Sequence, residues 1–203
     1  VAVKAGRSAS GARAASSHTG ALAQSDAIVR DLFKQAGVIR TDTLEELFDI
    51  ASLLANQPLP IGRRVAIMTN AGGPGILAAD ACEAAGLTLS PLSDETTAVL
   101  RAFLPSAASV GNPIDMIASA TPDQYARTLK LLLADPNVDS VIIIYIPVLP
   151  TDAEVVARNI REVAREPHGD KTLVATFMSS GGAPAVLAPV PAFAFPERAV
   201  NAL

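Results

Sequence analysis

Ser16-Ser17-His18-Thr19-Gly20 is the segment of this chain best suited to do chemistry. His18 is one of two histidines, and its neighbours, from Ala14 through Ala21, are all small. Small neighbours leave an imidazole sterically open, and hydroxyls and backbone N–H groups beside it can hold an anion. A neutral imidazole, with an ordinary pKa of about 6.5, is a competent nucleophile near neutral pH. These properties suit a histidine that carries a phosphoryl group. An ordinary loop histidine has the same local composition, so the assignment needs support from elsewhere in the chain.

A second feature supplies it. Asn70-Ala71-Gly72-Gly73-Pro74-Gly75 follows an apolar strand and precedes an Ala-rich helix. Glycines let the backbone approach a ligand closely, and Pro74 presets the first helical turn. The free N–H groups and the positive dipole end of that helix would face an anion at the carboxyl edge of a sheet. No Lys-Ser/Thr pair follows the glycines, so this is not a nucleotide P-loop, and the spacing does not fit a dinucleotide fingerprint. Taken alone, the same pattern also fits a tight turn that packs a helix on a strand.

The elements that must position these groups alternate with a βα rhythm, expected at Val1–Ala5 (strand), Gly6–Gly11 (loop), Asp26–Ala36 (helix) and Thr43 to about Ala55 (helix opened by a capping box). Asn56–Gly62 has linker composition. Beyond it lie expected strands at 65–69, 87–92, 138–146 and 172–178, with helices at 76–85, 93–103, 121–134 and about 152–165. The tail is less regular, with a last strand near 192–195. Strands alternating with helices imply an α/β fold with a helix-flanked parallel sheet. Half of the 203 residues are hydrophobic, only 4% are aromatic and none is Trp, so Ala, Val, Leu and Ile must fill the core.

The net charge of -4, without a basic cluster, argues against a nucleic-acid surface. The single cysteine excludes an internal disulfide and a multi-cysteine metal site, and suits a reducing cytoplasm. The most apolar run, 141–149, is too short to span a membrane and is broken by Pro147. The N-terminus lacks a signal-peptide pattern and begins inside a strand without Met, as an excised piece of a longer protein would. Other candidates have plainer readings. His168 sits in a polar turn and Cys82 lies mid-helix among alanines, while Asp123, Glu154 and Glu162 read as caps and solvated helix faces. Ser179-Ser180-Gly181-Gly182 reads as a turn.

The segment Lys4–Ser8 followed by Ala14–Leu22 resembles the phosphohistidine segment of the NDP-forming acyl-CoA synthetases, the group of ADP-forming acetyl-CoA synthetase and succinyl-CoA synthetase. Thr69–Gly75 resembles the phosphate-facing helix start of that family, and Gly111-Asn112-Pro113-Ile114-Asp115 a third recurring loop. Three motifs in register are more specific than any one. The resemblance implies two pieces: residues 1–57, the C-terminal portion of one flavodoxin-like domain carrying the phosphohistidine, and 58–203, a second flavodoxin-like ligase-CoA domain. It implies an acid–CoA ligase that works through an acyl phosphate and a phosphorylated His18. Ser17, Thr19, Gly20, Asn70, Ala71, Gly72, Gly73 and Gly75 would then hold phosphate, with Asn112 and Asp115 near the acid substrate.

The same resemblance implies CoA and ATP with magnesium for the full-length protein, and no metal ligand in this piece. The expected partners are a CoA-binding domain, an ATP-grasp domain or subunit, a small carboxylic acid and phosphate, without nucleic acid or membrane, and self-association is allowed. Without those domains, the isolated chain is expected to make no acyl-CoA. The competing reading is a ligand-sensing module of a protein lysine acetyltransferase fusion, binding CoA or acyl-CoA without turnover. A flavin-binding scaffold is disfavoured by the scarcity of aromatics.

Overall fold

The structure, a computed structural model, describes residues 1–19, 25–148 and 152–203, and the backbone alone of residues 18 and 19. Gly20, and residues 149–151 ahead of the last long helix, lie outside the described residues. Chain packing divides into two units, Val1–Ala51 and Ser52–Leu203.

In the first unit, β1 (Ala2–Val3) pairs in parallel with β2 (Arg40–Thr41). Helix α1 (Ala9–Thr19) follows β1, so the helix begins inside the expected Gly/Ser loop and carries the backbone of His18. Ser8 explains its start, accepting the Gly11 N–H on Oγ at 3.1 Å, while Ser8 O accepts from Ala12 N. Helix α2 (Asp26–Gln35) anchors through Asp26, whose carboxylate receives the Arg40 guanidinium at 2.9 and 3.0 Å. Helix α3 (Leu44–Asn56) opens with the expected capping box: Glu46 N donates to Thr43 Oγ1, and Thr43 N donates to Glu46 Oε2. Its last turn belongs to the second unit, where Leu53 enters the core.

The second unit is a five-stranded, all-parallel sheet in the order β4-β3-β5-β6-β7. The strands are β3 (Val65–Thr69), β4 (Ile114–Asp115), β5 (Ser140–Tyr145), β6 (Thr172–Phe177) and β7 (Ala192–Phe193). Counted within the unit, the order is 2-1-3-4-5, the flavodoxin-like arrangement, whose switch point lies between β3 and β5. The three central strands are largely apolar and rich in β-branched residues, as strands covered on both faces must be. Alternate residues serve opposite layers. Val141, Ile143, Leu173 and Ala175 meet α5 (Asp94–Phe103), α6 (Pro122–Ala134) and α7 (Ala153–Arg165). Val65, Ile67, Ile142, Ile144 and Val174 meet α4 (Gly72–Ala84) and α8 (Pro196–Ala202).

Three expectations are corrected here. Residues 87–92 make only a bridge, Thr88 to Arg64, rather than a strand. Pro91 follows it, and the Asn112 side chain takes the hydrogen bonds along that edge of β3. Helix α4 begins at Gly72, four residues before the expected start, so the glycines form its first turn. The tail closes with α8, which has Pro196 in its first turn.

The amino end of the sheet is held by charge. Arg64 donates from its backbone N and its Nε to Asp139 Oδ2 and from Nη2 to Oδ1. This hydrogen-bonded guanidinium holds the Asp139 carboxyl below its ordinary value. A Cβ on Gly62 would fall on that carboxylate, so only glycine fits there.

Candidate functional site

The carboxyl ends of β3 and β5 and the first turn of α4 meet at the switch point of the sheet. A helix start leaves its first N–H groups without intrahelical partners. At α4, Ala71 is the N-cap residue and offers no side-chain cap. Its own N–H goes to Thr69 Oγ1 at 3.0 Å, and Pro74 has no N–H. That leaves the amides of Gly72 and Gly73, with no acceptor for either among the described residues. The other three long helices of this unit begin on the side-chain oxygens of Ser93, Thr121 and Asp152.

Close packing fixes this turn. A Cβ on Gly75 would stand 3.1 Å from Thr69 Cγ2, and one on Gly72 would stand 3.0 Å from Asp115 Oδ2, whereas Gly73 faces open space. The Asp115 carboxylate is thereby placed beside the first turn of α4. Its Oδ1 accepts from Ile117 N at 2.9 Å, and Ile117 has a φ of +62°. A β-branched residue in that left-handed region is strained by about 1–3 kcal/mol and persists only where its surroundings hold it.

Two asparagines brace β3, one at each end. Asn70, 2% exposed, donates from Nδ2 to Ile146 O at 2.7 Å and accepts on Oδ1 from Ile146 N at 2.9 Å. Its side chain therefore ties β3 to the segment after β5, across the switch point, rather than facing a ligand. Asn112 accepts from Ile67 N at 3.0 Å and donates to Val65 O at 2.7 Å and Ser90 O at 3.0 Å. It prolongs the β4–β3 ladder with a side chain, at the level of Val65–Ile67, while Asp115 pairs with Thr69 at the other end. The two candidate substrate residues are thus separated, and only Asp115 joins the turn.

Beneath lies Tyr125, fully buried, whose hydroxyl donates to Ile144 O at 2.9 Å. Burial pushes its phenol well above the ordinary value, and the backbone N–H of Asn70 offsets part of that rise. Its ring meets Tyr145 edge-on at 5.8 Å, and Tyr145 meets Phe177 at 5.1 Å. Thr69 and Tyr125 were not singled out from the sequence. The alternation of β3 toward α4 points to Thr69, but nothing local marks Tyr125. Burial alone pushes the Cys82 thiol up to about 11, which removes it as a nucleophile.

In the first unit, Ser17 Oγ donates to Ala14 O at 2.8 Å within α1. The side chains of His18 and Thr19 and all of Gly20 lie outside the described residues. Among the described residues no cluster of His, Cys, Asp and Glu could hold a metal ion, and no helix is long and apolar enough to cross a membrane.

Comparison with known proteins assigns each unit. Residues 1–54 match the succinyl-CoA ligase like flavodoxin domain, and residues 65–183 match the Ligase-CoA domain. The alpha subunit of acetate–CoA ligase [ADP-forming] II from Pyrococcus furiosus is 50% identical over 183 residues, which are 88% of this chain and 39% of that protein. The alpha subunit of the form I enzyme of the same organism is 38% identical across all of this chain and 45% of its own length. A solved structure of dinucleotide-forming acetyl-coenzyme A synthetase 1 from Ca. Korarchaeum cryptofilum, in complex with phosphate and ADP, aligns with a TM-score of 0.88 at 33% identity. That alignment covers 98% of this chain and 44% of the other. The chain spans less than half the length of these relatives. With one domain family matching more than half of its residues, the chain belongs to the Ligase-CoA domain family, preceded by a succinyl-CoA-ligase-like flavodoxin segment.

Proposed function

We propose that this chain is the phosphoryl-handling part of an ADP-forming acid–CoA ligase, with His18 as the transient carrier and the α4 N-terminus as a phosphate station. The observation that carries the reading is the pair of acceptor-free amides, Gly72 and Gly73, at an uncapped helix start on the switch point of a flavodoxin-like sheet. Phosphoryl transfer asks a protein mostly for positioning and charge stabilisation, which preset amides provide without reorganisation. Ala71, Gly72, Gly73 and Gly75 line the station through their backbone, and Asn70 and Thr69 hold its shape. Asp115 borders it on the side of the acid substrate. Ser17, Thr19 and Gly20 surround the carrier.

In the productive direction for nucleotide synthesis, a nitrogen of the neutral His18 ring attacks the phosphorus of an acyl phosphate. The P–O bond to the acyl oxygen breaks, and the carboxylate leaves with that electron pair. The phosphohistidine then passes its phosphoryl group to a nucleoside diphosphate bound on another domain. The acyl phosphate arises when phosphate, held at α4, attacks the thioester of acyl-CoA and expels the CoA thiolate. CoA, the nucleotide with magnesium and the remaining domains or subunits belong to the whole enzyme. The functional boundary is placed in the Pro-rich segment near residue 57, and the setting is cytoplasmic.

The station is tested on the 203-residue chain by titrating inorganic phosphate and following amide resonances. Saturable shifts should centre on Gly72 and Gly73. If both amides stay unmoved while the chain remains folded, α4 does not hold phosphate.

A further inference from the structure

The first turn of α4 presents two kinds of hydrogen-bonding group, and only one of them suits a bare anion. The amides of Gly72 and Gly73 are donors without acceptors, whereas the half-buried Asp115 beside them offers an acceptor without a donor. Its Oδ1 takes the N–H of Ile117 at 2.9 Å, while Oδ2, set against Gly72, has neither a donor nor an ion pair among the described residues. A carboxylate beside a helix start ordinarily takes the free N–H groups itself, as Asp152 does at α7. Asp115 takes neither amide, and its backbone holds it where it stands. Its N–H and carbonyl exchange hydrogen bonds with Ser109 at 3.0 and 2.9 Å, and the next residue, Met116, donates from N to Thr69 O at 2.8 Å. The left-handed backbone of Ile117 completes this hold.

An anion made of acceptors alone, such as sulfate, would gain the two amide donors but would face a negative oxygen. A singly protonated oxyanion meets both demands, since its bare oxygens accept from the amides and its O–H donates to Oδ2. Such O–H···O⁻ bonds belong to the strong, charge-assisted class. The phosphate dianion keeps one proton, whereas sulfate, of the same charge and shape, has none near neutral pH. We propose that Asp115 selects protonated phosphate at α4, accepting its P–OH on Oδ2 and repelling tetrahedral anions that carry no proton. This selection rests on the reading of α4 as a phosphate station, and supplies a discrimination by protonation state that amides alone do not have. It also orients the nucleophile. With the O–H on Asp115 and two oxygens on the amides, one unprotonated oxygen is left to attack the thioester.

The test titrates the 203-residue chain at pH 8 with inorganic phosphate, sulfate and monofluorophosphate, a phosphorus dianion without an O–H, and follows the amide resonances of Gly72 and Gly73. Phosphate should saturate, and the other two should bind roughly tenfold or more weakly, because each forgoes a charge-assisted hydrogen bond. Asp115→Asn keeps an oxygen for the Ile117 N–H and turns an amide donor toward the station, so sulfate should tighten and the three anions should come within about threefold of one another. Unchanged resonances elsewhere verify that the variant is folded, and the comparison of anions on the native chain needs no variant at all. Equal binding of phosphate and sulfate to the native chain, sulfate still disfavoured by the Asn variant, or a variant that weakens all three alike would overturn the proposal and leave the station standing. Gly72 and Gly73 unmoved by every anion would remove the station and this proposal with it.

Discussion

Replacing Asn112 by Ala tests whether that residue is a brace or a substrate ligand. Three main-chain groups depend on its amide: the N–H of Ile67 and the carbonyls of Val65 and Ser90. A buried polar group left without a partner costs about 1–3 kcal/mol. Asn112 is only half-buried, so water recovers part of this, and a loss of about 3 kcal/mol is expected for the three together. At about 2–4 °C per kcal/mol for a domain of this size, the melting point of the second unit should fall by about 6–12 °C. Asn112→Asp keeps an acceptor for Ile67 N–H but sets a carboxylate beside two carbonyl oxygens. Its deficit should equal or exceed that of the Ala variant at neutral pH. Repulsion raises the carboxyl pKa in the folded state, so the deficit should shrink as pH falls and the acid becomes a donor. Urea unfolding followed by far-UV circular dichroism, at pH 7 and pH 5, measures both variants. A loss below about 1 kcal/mol for Ala, or an Asp variant as stable as the native chain, would refute the brace.

The remaining predictions concern the turn, the charge pair and the thiol. Gly73→Ala, which adds a methyl group to open space, should leave stability within about 0.5 kcal/mol of the native chain. Gly75→Ala should cost about 1 kcal/mol, because overpacking against Thr69 outweighs the better helix propensity of Ala; the same urea assay checks the pair. The depressed folded-state carboxyl of Asp139 contributes stability that is fully present above its unfolded value. That contribution is lost as pH falls through the folded one, so Asp139→Asn should flatten the acid limb of a stability–pH profile. Cys82 is buried and its thiol is raised to about 11, so a disulfide reagent at pH 8 should label it only as fast as the chain opens.

What the sequence disclosed follows the range of each interaction. The capping boxes of α3 and α6 lie within four residues, and both open where their residues dictate. The central strands were legible because double-sided burial favours short, largely apolar runs rich in β-branched residues, most plainly Val141–Ile144 in β5. Helix α1 was concealed by its own Gly11 and serines, which read as loop, although Ser8 supplied a cap that could have marked it. Pro196 followed by Glu197 was likewise a legible start for α8. The site divides in the same way. The glycines announce a close approach, but that Gly72 yields to Asp115 and Gly75 to Thr69 is a tertiary fact. Asn70 bonds to Ile146, Asn112 to Val65 and Tyr125 to Ile144. Such long-range amide and phenol braces have no local signature, so the sequence shows only the motifs that hold Asn70 and Asn112, and it does not mark Tyr125.

The carrier role of His18 is decided most directly by incubating the full-length parent protein with γ-labelled ATP and locating acid-labile phosphate, native against His18→Asn. The label should sit on His18 in the native protein, and the variant should lose both that label and acyl-CoA formation. Label retained at another residue, with thioester made at the native rate, would contradict the carrier role.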